Sequence, residues 1–322
     1  LNDFLLFPNK TGMVLLATLL RKNMKIQTTI CTLQSEDPPI IVMGHNFLSL
    51  CCDHNFETLA YLLLNHRLPT DEELVDFSER GFASRRGVAQ ALDLDMLNNV
   101  KPMEMMQSLA ASINYYFDPW DYMNQFIMGS SILLGAPRQA LPNYEAQVLQ
   151  ILCADLYDDY QEKLEAATIL LNLYSEHELA ASTFTARVVA STGAQTHVCI
   201  SSAIGALSGP LHGGANEQII PFINQLHPST YEEKLDERLA RKEKIMGFGH
   251  AIYKDGDPRS PVAYALAQAL AQTPSQQALL SVATLVADRM LEKKGLHPNL
   301  DYYAALALHF MGAKETFLTP FF

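Results

Sequence analysis

The sequence predicts an all-α fold, and three observations carry that prediction. Helix-start signals recur along the chain, apolar residues recur at intervals of three and four, and no long alternating strand pattern, repeat or low-complexity tract interrupts them. At 322 residues the chain can form one large or two ordinary domains around a sizeable core.

In order, Met13–Met24 reads as an amphipathic helix, and Gln27–Leu33, which alternates Thr, Ile and Cys, as a short strand. Pro38-Pro39 breaks that pattern. Asn55 caps a helix running through His66, with Phe56, Leu59, Ala60 and Leu63 on one face, and Leu68-Pro69 stops it. Thr70-Asp71-Glu72-Glu73 is a capping box opening the next helix. Lys101-Pro102 starts another, in which Met103, Met106, Leu109, Ala110 and Ile113 form a core-facing stripe. Methionines at this spacing fill a core before they make a soft ligand surface. Asp118-Pro119-Trp120 opens a helix to about Leu134, and Gly135–Pro142 is a loop.

Asn143 to about Ser175 reads as one or two helices whose acidic segment, Asp155–Glu165, is a solvated face. Ser182–Leu207, rich in small residues, predicts a deeply buried helix pair in close approach. Tyr231–Lys244 is charged and strongly helical. Pro261–Leu270 and Gln276–Lys294 are helical, the latter carrying Leu279, Val282, Val286 and Met290. Leu300–Met311 is a last apolar helix after His297-Pro298-Asn299.

Composition excludes several classes. Apolar content of 48% and charged content of 18% describe a globular chain. A net charge of −12 argues against a nucleic-acid or anionic-membrane surface, while an anionic small ligand needs only a local basic pocket. The five cysteines show no C-x-x-C spacing, and free thiols in a reducing, cytoplasmic compartment are expected. The apolar run Met13–Leu20 is too short to span a bilayer and lacks a small-residue cleavage site, so neither an anchor nor a signal peptide is expected.

The chemistry concentrates between Gly205 and Arg259. Two glycine-rich loops lie there, Gly209–Glu217 and Gly247–His250, the second running on to Asp257-Pro258-Arg259. Glycine inside a helix costs roughly 0.5–1 kcal/mol against alanine, so such clusters mark positive φ or close backbone approach. Each loop brings one histidine, His212 and His250, the residue type best suited to trade protons near neutral pH. An isolated histidine is more often structural; the glycine flanks favour a functional reading here. Ser175-Glu176-His177-Glu178 begins like H-E-x-x-H, but position 181 is alanine, so no metal site is expected. Neither loop is followed by Lys-Ser/Thr as a P-loop requires, and no G-x-S-x-G elbow occurs. What remains is histidine and carboxylate acid–base work, with Arg259 and His177 available to hold a carboxylate. Asp301, by itself, reads as an acidic residue at a helix N-terminus.

Gly209–Glu217, Met246–His250, Asp257-Pro258-Arg259, Glu176-His177-Glu178 with Ala181–Arg187, and Pro298-Asn299-Leu300-Asp301 together resemble the citrate synthase family in order and spacing. The likeness covers roughly Leu173 to the end, and the first half matches weakly through Thr28–Leu33 and Phe56–Leu74. The resemblance implies an all-helical homodimer with a large domain (1–213 plus 313–322), a small domain (214–312) and an active site in the cleft between them. It also implies roles. Asp301 matches the base that takes the α-proton of an acyl-CoA, and His212 the donor that stabilises the enol(ate) oxygen. His250 matches the group that polarises the keto carbonyl of oxaloacetate, and His177 and Arg259 match residues that bind oxaloacetate. Ile245, Gly247 and Gly249 match backbone lining the CoA adenine, with Lys254 nearby to meet phosphate. An α-proton of a thioester is too weakly acidic for a carboxylate unless the enolate is stabilised at the same moment, so base and donor must act together. Acyl-CoA enters as substrate; no permanently bound cofactor and no metal are implied.

The sequence departs from the family pattern in places. Ala251 follows the second-loop histidine where bacterial citrate synthases often carry arginine. Val42–Asn46 replaces the usual Tyr-Arg-Gly-Tyr-Asp, and the region around Gly135–Gln161 is shorter. Family members carry substrate-binding arginines beyond the position matching Phe322. Thr29–Thr32, Phe184–Arg187, Thr192-Gly193 and Asn299–Asp301 with two following aromatics lean toward 2-methylcitrate synthases and propionyl-CoA. Lys242–His250 and Tyr253–Arg259 lean toward bacterial citrate synthases and acetyl-CoA. One methyl separates the two substrates, worth only ~1–3 kcal/mol in a pocket, so activity with both is expected. A reading of another class, a non-catalytic helical dimer that binds CoA or organic acids, is opposed by the intact His212, His250 and Asp301 set.

Overall fold

The computed structural model describes residues 28–34, 36–91, 101–113, 118–153, 159–209, 212–250 and 252–322. The helix expected at Met13–Met24 and the Ala251 departure lie outside them. The described chain is mostly helical. Its one sheet is small and antiparallel, β1 (Cys31–Leu33), β2 (Ile40–Val42) and β3 (His45–Asn46), with Cys31 opposite Val42 and Val42 opposite His45. Only the first strand was legible beforehand. The hairpin turns on Met43 and Gly44, both at positive φ (49° and 85°), as a two-residue turn matched to strand twist requires.

The helices begin where their caps say. α1 is Phe47–Asp53. Asn55 accepts from the Thr58 amide at the head of α2 (Phe56–Asn65). Thr70 and Glu73 form the reciprocal capping box of α3 (Asp71–Ala91), and Asp118 accepts from the Trp120 and Asp121 amides at the head of α5 (Pro119–Leu133). Between them, α4 (Pro102–Ser112) buries Met106, Leu109 and Ala110, with Ile113 buried just beyond it. α6 (Tyr144–Leu152) and α7 (Tyr160–Ser175) follow, and the described part of the acidic stretch, 159–165, is largely exposed. A buried charge ties these helices together. Arg85 is fully buried, donates to Asn124 Oδ1 and to the Leu141 and Pro142 carbonyls, and stands 3.9 Å from Glu57 Oε1. Glu57 in turn accepts from the Tyr144 amide at 3.1 Å and from the Ser78 hydroxyl. The loop after α5 is thereby held from within the core, since an unsatisfied buried guanidinium would cost far more than any single surface contact.

Two expectations need correction. The helix pair α8 (Ala181–Ala190) and α9 (Thr196–Leu207) packs closely, but it is not deeply buried. No residue of α8 and only Cys199 and Ile204 of α9 are buried, while Val188 and Val198 are exposed. Small side chains permit close approach of two helices; they do not place the pair inside. After a short helix α10 (Ile219–Ile223), the charged helix α11 (Tyr231–Ala240) stops four residues short of Lys244, because the chain turns through Lys242 at φ 58°. The last helices match the reading: α12 (Ser260–Leu270), α13 (Pro274–Lys294) with its Thr273–Gln276 capping box and Gly295 terminator, and α14 (Leu300–Phe310). α14 is the centre of the core. Tyr302 through Leu308 are buried without interruption, and the Tyr302 hydroxyl donates to the Ala283 carbonyl at 2.9 Å. A helix apolar on all sides belongs inside. A short helix α15 (Leu318–Phe321) ends the described chain beside the first glycine loop. Among the described residues no helix is long and apolar enough to cross a membrane.

Candidate active site

The second glycine loop and the head of α14 are one structure. Phe248 pairs antiparallel with Pro298, Gly249 N–H donates to the His297 carbonyl, and Asn299 N–H donates to the Gly247 carbonyl, both at 2.9 Å. Asn299 stands at the N-cap position yet makes no side-chain cap. Its amide group instead donates to the Gly249 carbonyl at 3.1 Å. Glycine is required at 247: φ is 84°, and a Cβ there would stand 2.8 Å from Tyr302 Cδ2 and 3.1 Å from its Cα. Two motifs some fifty residues apart in sequence thus set His250 and Asp301 in one frame.

Asp257 caps α14 from a distance. Its Oδ2 accepts the Leu300 amide at 3.1 Å, and its two oxygens receive Arg259 Nε at 3.0 Å and Nη2 at 2.9 Å. Both side chains are buried. Burial alone would raise the Asp257 carboxyl, but the Arg259 guanidinium and the amides it accepts hold it below the usual carboxylate range. Asp257 lies inside a quoted motif but is absent from the expected site residues; the signal that could have found it is the i, i+2 spacing to a basic residue in a buried loop.

His177 and His250 meet edge to face with ring centroids 4.9 Å apart, and Tyr253 stacks on His250 at 4.7 Å. His250 Nδ1 accepts the Ile252 and Tyr253 amides at 3.1 and 3.3 Å. Amide N–H groups only donate, so the neutral ring carries its proton on Nε2. Burial, the Arg259 charge and His250 push His177 down to about 3, so it is neutral at physiological pH. His177 Nε2 and the Tyr253 hydroxyl are buried without a hydrogen-bond partner among the described residues. Two such polar atoms beside a buried Arg259 mark a place that a polyoxygen ligand would complete.

His212 sits on the first glycine loop, whose Gly213 opens a 3₁₀ turn through Gln218 and is not in the left-handed region. The requirement there is close approach: a Cβ on Gly213 would lie 2.8 Å from the Leu207 carbonyl oxygen. His212 Nε2 accepts from the Ser182 amide at 3.3 Å and lies 3.0 Å from its hydroxyl, which leaves Nδ1 to bear the proton of the neutral ring. Asp301 Oδ1 accepts from the Tyr174 hydroxyl at 2.9 Å, and the Tyr174 ring meets Phe322 at a tilt of 51° with centroids 4.2 Å apart. Tyr174 and Ser182 both line one apolar cavity of about 480 Å³.

Of the remaining expected residues, Ile245 has its side chain in the core, so only its backbone is available to a ligand. Gly247 is buried and Gly249 partly so. Lys254 is exposed and its Nζ donates to the His250 carbonyl at 2.9 Å. Among the described residues no group of three His, Cys, Asp or Glu side chains is arranged to hold a metal ion. Tyr174, Ser182 and Asn299 are not among the expected site residues, because each acts through a partner distant in sequence, while Tyr253 stacks on the nearby His250.

A model of the family described as "Citrate synthase, C-terminal domain" matches residues 19–322. The chain belongs to the citrate synthase family. The 2-methylcitrate synthase of Shewanella oneidensis is 32% identical over 92% of this chain and 84% of its own length. Citrate synthase 2 of Bacillus subtilis is 29% identical over 92% and 86%. The fold is likewise that of citrate synthases. The enzyme of Thermoplasma acidophilum, solved as a ternary complex with carboxymethyl coenzyme A and oxaloacetate, superposes with a TM-score of 0.77 at 23% identity, over 93% of this chain and 86% of that one. Relatives in this family thus carry both citrate synthase and 2-methylcitrate synthase names at similar distance.

Proposed function

We propose that the protein condenses propionyl-CoA, and also acetyl-CoA, with oxaloacetate and hydrolyses the resulting thioester to give 2-methylcitrate, or citrate, and free CoA. The observation that carries this reading is the His250–Asn299 frame: one backbone zipper holds an imidazole with its proton on Nε2 and, two residues beyond Asn299, the carboxylate of Asp301. Oxaloacetate binds through Arg259, His177 and His250, where the unpartnered His177 Nε2 and Tyr253 hydroxyl suit its oxygens. His250 Nε2–H polarises the keto carbonyl and protonates the new alkoxide. Asp301 removes the α-proton of the acyl-CoA while His212 donates to the thioester oxygen as it becomes an enolate, because neither step is feasible alone. The Gly247–Gly249 backbone, Ile245 and Lys254 receive the CoA nucleotide.

The domain division at 213/214 and 312/313 allows closure to exclude water around the enolate. The half-exposed face of α8 and α9, with Val188 and Val198, is the surface a second copy would cover in a homodimer. The five free cysteines suit a cytoplasmic enzyme. The test is free-thiol release from acetyl-CoA and from propionyl-CoA, each with oxaloacetate. Release from both with a higher kcat/KM for propionyl-CoA is expected, a higher value for acetyl-CoA would make this a citrate synthase, and no release from either would make it a binder. Asp301→Asn is expected to abolish release while CoA binding is retained.

A further inference from the structure

We propose that the apolar cavity beside Tyr174 and Ser182 is an acyl-chain pocket, and that the protein accepts acyl-CoA substrates longer than propionyl-CoA, through about eight carbons. This rests on the condensation reading. In that reaction the thioester α-carbon must lie between the Asp301 carboxylate and the His212 ring. Tyr174 bonds the first and Ser182 the second, and both residues also form the wall of the cavity. A substituent on the α-carbon therefore lies beside two residues, Tyr174 and Ser182, that also line the cavity.

The cavity is far larger than the reaction of a two- or three-carbon acyl group needs. At about 480 Å³ it falls in the range of pockets that enclose whole small ligands, and protein cores leave few voids even of water size. Its walls are the occupant's chemistry: Met103, Met106, Met123, Phe126 and Ile200 present flexible and aromatic apolar surface that moulds to an alkyl chain. The methionine stripe read as core filling thus has Met103 and Met106 on a cavity wall as well. The reaction itself is unchanged. Asp301 takes a proton from the α-carbon, that carbon forms the new bond to the keto carbon of oxaloacetate, the alkoxide is protonated, and water cleaves the thioester to release CoA. The alkyl chain is a spectator carried into the product.

The experiment is thiol release by the full chain with oxaloacetate and acetyl-, propionyl-, butyryl-, hexanoyl- and octanoyl-CoA, repeated with Ala203→Phe, which fills the cavity from α9. Each buried methylene is worth up to about fourfold in kcat/KM, so hexanoyl- and octanoyl-CoA are expected to equal or exceed propionyl-CoA. Ala203→Phe is expected to lower the two long substrates at least about tenfold and to leave acetyl-CoA unchanged. Turnover of acetyl- and propionyl-CoA that collapses at butyryl-CoA overturns the pocket while leaving the condensation reading intact. So does an Ala203→Phe enzyme that loses all substrates equally; Ala186→Leu, a smaller change on α8, repeats the test should that protein not fold. If no acyl-CoA is turned over, condensation fails, and titration of hexanoyl- against acetyl-CoA then reads the cavity alone: tighter hexanoyl-CoA supports the pocket, and equal binding overturns it.

Discussion

The Tyr174 hydroxyl donates a 2.9 Å hydrogen bond to Oδ1 of Asp301, joining the last turn of α7 to the first turn of α14 across 127 positions of sequence. Tyr174 is partly buried, and desolvation together with the Asp301 charge keeps its hydroxyl protonated well above the ordinary tyrosine range. It is a fixed donor, and it orients the carboxylate without competing for the substrate proton.

Tyr174→Phe is accordingly expected to lower kcat about tenfold, the equivalent of a hydrogen bond of ~1.4 kcal/mol to a charged group, with KM for oxaloacetate unchanged. Steady-state kinetics with both substrates varied separates this from a general loss of folding, which would reduce active enzyme without that split.

Asp257 holds Arg259 and the head of α14 together. Asp257→Asn keeps the shape but leaves a buried guanidinium without its counter-charge. The expected cost is about 3–5 kcal/mol of stability, read by urea unfolding, and a rise in KM for oxaloacetate of at least ~tenfold.

Two glycines with the same φ make a paired test. Gly44 (85°) has open space where a Cβ would stand, whereas Gly247 (84°) would place one 2.8 Å from Tyr302. Gly44→Ala carries backbone strain alone, about 1 kcal/mol. Gly247→Ala adds an overlap with a buried helix and is expected to lose roughly 3 kcal/mol or more, together with activity. Equal thermal shifts in the two variants would show that the 247 loop yields easily.

Glu145 predicts a pH dependence. Burial, reinforced by Glu57 and opposed by its own backbone amide and Arg85, pushes its carboxyl up to about 7, against an ordinary 4.5. A folded value above the unfolded one means that folding takes up a proton between these limits. The associated stability is present below pH 4.5 and lost as pH rises through 7. Glu145→Gln removes the titration, so its stability relative to the parent is expected to grow by roughly 3 kcal/mol from pH 4.5 to pH 8, measured by denaturant unfolding across that range.

The sequence by itself determined the helical class, most helix starts and the residues around which the chemistry is built. Caps such as Asn55, the Thr70–Glu73 box and Asp118-Pro119 are local signals, because an N-terminal amide is satisfied from within three residues. Glycine clusters around His212 and His250 are legible for a similar reason: positive φ and close approach leave a mark on the residue type itself. Tertiary structure alone decided what those residues touch. Nothing near Asn299 reveals that it would leave its own helix to hold Gly249, nor near Ser182 that it would fix the His212 tautomer. The exposure of α8 and α9 was equally hidden, since small residues suit a buried helix and a surface helix alike. Local backbone preference is written every few residues, whereas hydrogen bonds and cavities made across a hundred residues depend on how whole helices pack, and no short stretch of chain carries that geometry.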